Sequence, residues 1–540
     1  MGMPVHETLL ERRTASRLWS RDLSVFGRAT TPDVSDAIRN RLGWLDAPTR
    51  MRDRLADVAA VAREVRSDNL THLCVLGMGG SSLCAEVLRQ TLAPPDTRDQ
   101  IVVLDTTDER AVRDAASILP SHSTLFVVAS KSGTTVEVTA LESFFRAWVH
   151  AGGNTAPGRQ FVAITDPDTA LVRHAAAHQY RHTFVNPADI GGRFSALSLF
   201  GLVPAALMGI APESLLDAAA PMVEACHQDD LDNPGLALGA FMAEQALLGR
   251  DKLTILLPES LTPLGLWIEQ LVAESTGKHD RGVLPIVDEP APGPGGMDGY
   301  GPDRAFVLTS LPLDDEAVAH ERALVASHHP VFHMHSTTRD LGAEFFRWEF
   351  ATAVAGIALD VNPFDEPNVR DAKSRTTALL ASDGALPVEP PLTARHGVLG
   401  RSHRPEGVDA AHGFVALLDY LPQDAARAEV VTRLRTMIRT RTNAATTYGM
   451  GPRYLHSTGQ FHKGGTNAGL FLLFTGADAT DTPVPGESYS FSRLKHAQAL
   501  GDFAALVANG RHVVHFHVDD PTADFSAELE RLVTEALLAQ

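Results

Sequence analysis

The chain has 540 residues, 44% hydrophobic and 21% charged, with a formal net charge of -19. That length exceeds one ordinary core and predicts two large domains of a globular protein. The negative balance argues against broad binding to nucleic acid or anionic membranes, which needs basic surface, but leaves room for a local basic pocket.

The three cysteines, Cys74, Cys84 and Cys226, show neither a disulfide framework nor a CxxC zinc spacing, which points to a reducing cytoplasm. The N-terminal MGMPVHETLLERR has no apolar signal core, and position 6 lacks the Ser or Thr of a myristoylation site. The longest apolar stretch, ALSLFGLVPAALMGIA, contains Gly201 and Pro204 and reads as a buried helix, being short for a membrane span.

In chain order, residues 1–70 read as helical. Apolar strands follow at 71–80, 101–107, 124–130 and 161–167, separated by helical segments such as SSLCAEVLRQTL and TTVEVTALESFFRAWV. Such alternation predicts parallel strands covered on both faces by helices, with ligands beyond the carboxyl ends of the strands. The pattern resumes with strands at 252–258, 305–311, 330–335, 414–421, 469–476 and 512–518. The expected organisation is a helical segment 1–70, a first α/β domain 71–215 and a second 216–540. Composition makes 291–303 and the Pro/Gly-rich 384–413 loops, the second long enough for a flap or an inserted connection.

Three turns and one helix carry candidate chemistry. In VVASKSGTTVEV a strand ends at Ser130, Lys131, Ser132, Gly133, Thr134 and Thr135, and a helix begins. A helix start offers unsatisfied N–H groups and partial positive charge; the hydroxyls and Lys131 would add donors, and Gly133 lets the backbone approach closely. The segment suits one phosphate, or equally an ordinary capped strand-to-helix turn. GMGGSSL (77–83) is a second such turn, without the third glycine of a dinucleotide fingerprint or the ending of a P-loop. In DIGGRFSALSLFG, Gly191 and Gly192 deliver Arg193 to a helix start, which suits a developing oxyanion as well as a surface ion pair. In WIEQLVAESTGK, Gln270 and Glu274 share one helix face, and a desolvated Glu274 could act as a general base. The alternating pairs His333/His335 and His515/His517 could bind metal but lack an identifiable third ligand, so no metal is expected.

Taken in order, GMGGSSL, SKSGTT, GGRFSALS, Gln270-x-x-x-Glu274-STGK and NPFDEPNVRDAK resemble the phosphoglucose isomerase family. WSRD (19–22) and RLGWLD (41–46) resemble most the isomerase half of bacterial transaldolase/phosphoglucose isomerase fusions. The resemblance implies two sugar-isomerase (SIS-type, flavodoxin-like) αβα sandwich domains with mostly parallel sheets. It implies a cytoplasmic, cofactor-free aldose–ketose isomerase of glycolysis and gluconeogenesis that interconverts glucose 6-phosphate and fructose 6-phosphate through a cis-enediol. It implies phosphate binding by Gly80, Ser81, Ser130, Lys131, Ser132 and Thr135, an enediolate stabiliser in Arg193, a base in Glu274, a substrate contact in Gln270 and an active-site lysine in Lys373. It also implies a homodimer whose interface could supply the ring-opening histidine. Alternatives are a dual phosphoglucose/phosphomannose isomerase and a non-catalytic sugar-phosphate sensor. Two positions depart from the family. Glu366 stands where Gln is usual, and a carboxylate there should face another group or solvent. No histidine lies between the base and the lysine near 291–303, so His456 in LHSTGQ is the expected ring-opening residue, with His462 behind it.

Overall fold

The computed structural model describes residues 3–27, 32–290, 299–382, 393–395, 398–403 and 413–518, together with 530, 531, 533 and 534. The protein is a mixed α/β fold whose sheets are mostly parallel. The first sheet contains β1 (His72–Gly77), β2 (Ile101–Leu104), β3 (Thr124–Ala129), β4 (Phe161–Thr165) and β5 (His182–Val185), in the order β2-β1-β3-β4-β5. Every pairing in it is parallel. Its central strand β3, TLFVVA, is buried along its whole length, as a strand covered on both faces must be.

The strands after residue 250 form two sheets. One holds β6 (Lys252–Leu256), β7 (Leu284–Ile286), β8 (Arg304–Ser310) and β9 (Val331–His335), all parallel, in the order β7-β6-β8-β9. The other holds β10 (Thr393–Arg395), β11 (Val398–His403), β12 (Phe414–Asp419), β13 (Ala445–Met450), β14 (Gly469–Gly476) and β15 (His512–Val518). Its order is β10-β11-β15-β14-β12-β13, antiparallel where β11 meets β10 and β15 and parallel elsewhere. Thus β10 and β11 fall inside the stretch that composition makes a loop; the rest of 384–412, and 291–298 of the other expected loop, lie outside the described residues.

Helices join the halves. Leu341–Ala358 is buried on nearly every side and packs its aromatic face around Trp44, whose ring lies 5.8 Å from Phe346 and 5.3 Å from Phe194. Since Phe194 follows Arg193, this cluster fixes the glycine–arginine turn to the same core as the N-terminal helices. The expected buried helix forms at Leu199–Leu207, with Ser198 capping its first turn through Phe200 N–H and Pro204 inside it. Among the described residues no helix is long and apolar enough to cross a membrane.

Candidate active site

A pocket of about 340 Å³ opens where the carboxyl ends of β1 and β3 meet the helix Leu264–Thr276. It brings together Gly80, Ser81, Lys131, Ser132, Thr135, Arg193, Gln270, Glu274, Lys373 and His456. These come from turns and helices spread over more than 370 positions of the sequence. The volume is that of a small-molecule site.

One wall is the start of the helix Val136–Ala151. Its N-cap, Thr135, makes no side-chain capping bond, so the first N–H groups remain available to a ligand. The Thr135 and Ser130 hydroxyls stand 3.0 Å apart, and Ser130 Oγ accepts from Gly133 N–H at 3.1 Å. Ser130 is buried and does not line this pocket; it braces the turn from behind. The Lys131 ammonium is engaged by the Asp166 carboxylate. Burial pulls the ammonium below its usual range, the ion pair opposing without cancelling it, and the same burial pushes Asp166 up.

The opposite wall holds Arg193 and the buried carboxylates. Gly79 takes a left-handed conformation, and a side chain on Gly80 would collide with the carbonyl of Gly192. The two glycine turns therefore touch backbone to backbone, which sets Arg193 over the pocket. Arg193 is 5% exposed. Its Nε donates to Ser275 Oγ at 2.8 Å, and Nη2 donates to the carbonyls of Pro363 and Asp365 at 2.7 and 3.0 Å. Its Nη1 lies 3.0 Å from Glu274 Oε1 and 3.2 Å from Glu366 Oε2.

Glu274 is further held by Gln270 Nε2, which donates to Oε2 at 3.1 Å and to the His456 carbonyl at 2.7 Å. Burial pushes the Glu274 carboxyl above the usual carboxylate range; Arg193 works against the rise and Glu366 adds to it. Burial acts on Glu366 too, but the attraction and hydrogen bond of Arg193 outweigh it and hold that carboxyl low. Lys278 stands close by, and burial together with the Arg193 charge brings its ammonium down to about 7. Glu366 thus faces Arg193 across from Glu274 and lines the pocket itself.

His456 reaches the pocket from the same chain. Its Nε2 lies 2.8 Å from Glu137 Oε1, and Gln498 Nε2 donates to that oxygen at 2.7 Å. Burial pushes Glu137 up, but the neighbouring His456 outweighs it and brings the carboxyl below its usual value. His462, by contrast, is buried among Tyr454 and Phe471 with both ring nitrogens unpartnered, and burial keeps it neutral. Lys373 projects from the exposed face of the helix Val369–Ala381 and lines both this pocket and a chamber of about 220 Å³ beyond His456. The histidine pairs on β9 and β15 each close on one hydroxyl, His333 and His335 on Ser310 and His515 and His517 on Thr475.

Sequence reasoning missed Glu137, Asp166 and Arg41. Glu137 looks like an ordinary acidic residue in a first helical turn, and only a contact 319 residues away gives it work. Arg41, which lines the pocket, opens the RLGWLD segment, so a signal was present there.

Residues 33–284 match the family model described as phosphoglucose isomerase. A glucose-6-phosphate isomerase of Rubrobacter xylanophilus is 28% identical over 415 residues, covering 68% of this chain and 95% of the relative. That of Symbiobacterium thermophilum is 28% identical over 401 residues, covering 63% and 87%. Among solved structures, a hypothetical protein from Thermus thermophilus aligns at 25% identity with a TM-score of 0.60, covering 70% of this chain and 96% of the other. A glucose-6-phosphate isomerase from Chlamydia trachomatis aligns at 20% identity with a TM-score of 0.53, covering 68% and 77%, a likeness of fold.

Proposed function

We propose that the chain, whose residues 33–284 match the phosphoglucose isomerase model, is a member of that family and interconverts glucose 6-phosphate and fructose 6-phosphate by moving one proton between C1 and C2. The observation that carries this reading is the position of Glu274. It is a desolvated carboxylate, tied to Gln270 and Arg193, facing the same pocket as an uncapped helix start flanked by Lys131, Ser132 and Thr135.

The phosphate is read onto Thr135, Ser132, Lys131, Ser81 and the backbone around Gly80, with Ser130 supporting the turn. Binding energy spent there positions the reacting carbons against Glu274. His456, with Glu137 behind it, and Lys373 are suited to opening the cyclic sugar, which needs a base at the anomeric hydroxyl and an acid at the ring oxygen. Glu274 then removes and returns the proton. Arg193, held on four sides by protein atoms, offers a fixed charge to the developing enediolate without reorganising. Because His456 completes the pocket from its own chain, this chemistry asks for no histidine from a second subunit.

Further proposals rest on the family reading: a cytoplasmic homodimer with no nucleic-acid partner, domains divided near 70 and 215, and a place beside the isomerase half of the transaldolase fusions. The deciding assay is conversion of fructose 6-phosphate by the purified protein, followed by coupled oxidation of the glucose 6-phosphate formed. Absence of turnover under conditions where the protein binds sugar phosphate would leave a sensor in place of an enzyme.

A further inference from the structure

The four-stranded sheet repeats the topology of the first. In both, the first strand pairs with the second on one side and the third on the other, and the fourth lies beyond the third: β2-β1-β3-β4 and β7-β6-β8-β9. In open parallel sheets the crevice at such a reversal of strand order is where ligands bind. In the first sheet that crevice, between the carboxyl ends of β1 and β3, is the pocket described above. In the second, the corresponding crevice between β6 and β8 is a pocket of about 410 Å³.

Its chemistry is of opposite sign. Where the first crevice presents Lys131 and hydroxyls, the second presents Asp288, Asp314 and Glu316. None of these three forms an ion pair among the described residues. Glu289, also in the wall, is matched by Arg304 at 2.6 Å. Arg435 donates to the carbonyls of Val287 and Asp288 and attracts the Asp288 carboxyl, without cancelling the rise that burial imposes on it. Asp314 and Glu316 are therefore the carboxylates with no cation beside them among the described residues. The helix Asp315–Ala326 that starts here carries Asp314 as its cap, bonded to Ala317 N–H at 2.9 Å, so its N-terminus is already supplied with negative charge. An anion is excluded. Two polar atoms in the wall want a partner: Thr309 Oγ1, on a residue only 3% exposed, and His320 Nε2. Among the described residues no Phe, Tyr or Trp lines the crevice, so no ring of the kind that cages a quaternary ammonium is present, whereas the three N–H donors of a primary ammonium match carboxylates and a threonine hydroxyl.

We propose that the crevice at the carboxyl ends of β6 and β8 is a second ligand site, which takes a small molecule bearing a primary ammonium group. The proposal stands apart from the isomerase reading, since it shares no residue with the Glu274 pocket. It is tested by isothermal titration of the full-length protein with two probes, glucosamine and 1,4-diaminobutane, and glucose as the neutral control. The Glu274 pocket is filled beforehand with 5-phosphoarabinonate, an enediolate mimic. The expected result is saturable binding of at least one amine and none of glucose, with affinity reduced about tenfold or more in Asp288→Asn/Glu316→Gln. Binding by glucosamine alone assigns an amino sugar, and by the diamine alone a polyamine-like ligand. Glu316 is exposed, so Glu316→Gln by itself gives the same reading in a smaller loss if the double variant does not fold. No saturable binding of either amine, equal binding of glucose, or affinity unchanged in the variants would overturn the assignment.

Discussion

Replacing Glu366 by Gln should move the acid limb of the pH–rate profile downward. Nη1 of Arg193 is shared between Glu274 Oε1 at 3.0 Å and Glu366 Oε2 at 3.2 Å, so the two oxygens stand no more than about 6 Å apart. Two like charges at that distance repel by about 3 kcal/mol at an effective dielectric of 20 and about 0.7 kcal/mol in water. Glu366 is 44% exposed, so screening by water favours the lower part of that range. The sign follows from the charges. Glu366 raises the proton affinity of Glu274; a neutral amide removes that contribution, and the base remains ionised to lower pH. A guanidinium has five N–H donors, and all five of Arg193 are occupied by protein groups in this structure, so the amide also loosens the hold on the one donor that substrate oxygens can compete for. The assay is kcat/KM for fructose 6-phosphate from pH 4.5 to 9 in both proteins, since that parameter reports the ionisations of the free enzyme. An acid limb that stays in place, or moves upward, would refute the coupling.

Glu274→Gln should retain binding of fructose 6-phosphate while losing nearly all turnover; turnover near that of the parent removes Glu274 from its role. Lys131→Ala should raise KM and weaken inorganic phosphate as a competitive inhibitor by roughly ten- to a hundredfold, the worth of one hydrogen bond to a charged group, with kcat changed less. His456→Ala and Glu137→Gln should slow conversion of the cyclic sugar far more than that of an open-chain analogue, and equal effects on both would count against ring opening. Glu269, on the helix that carries Glu274, has its carboxyl pushed up to about 8, chiefly by burial. A raised folded-state value means stability is full below the ordinary carboxylate range and is lost as pH rises toward 8, by about 1.4 kcal/mol per unit at most. Glu269→Gln should therefore flatten the fall in Tm between pH 5 and 8.

What could be read from the sequence was the part governed by local pattern. The buried strands β1, β3, β4, β6, β8 and β14 announce themselves as apolar runs, and the structure places them within a few residues of the expected bounds. β7 and β13 do not. β7 is three residues long with Pro285 at its centre, tolerable because it lies at a sheet edge, and β13 is the polar ATTYGM, also an edge strand. The turns that crowd the pocket were legible because close backbone approach demands glycine, as Gly80 against Gly192 shows. The ionisation of the site was not legible. Whether Glu274 is desolvated, whether Glu366 meets Arg193 and whether Glu137 supports His456 all depend on contacts between segments about 80 to 320 residues apart in the chain.

The two related sheets also explain why a base and an anion site occur together. In the first, the connection after β3 delivers the start of a helix to the pocket, the end of the peptide dipole that attracts phosphate. In the second, the connection after β6 leads into the helix Leu264–Thr276, and Glu274 sits in its last turn, at the end of opposite sign. There the peptide dipole disfavours the ionised carboxylate, in the same direction as burial, and both make Glu274 a stronger base than a solvated glutamate. Arg193 opposes them enough to keep the carboxylate within reach of ionisation. In the proposed reaction, one strand-to-helix connection would thus supply attraction for the end of a substrate that never reacts, and the other basicity for the end that does. Between them, the Trp44 cluster braces the Arg193 turn, through Phe194, against the helix Leu341–Ala358, which in turn packs by Phe345 on Trp267 of the helix that carries Glu274. A cavity made there, by Trp44→Ala, would therefore be expected to lower kcat beyond its effect on KM, because it loosens the spacing between two helix ends while leaving each of them intact.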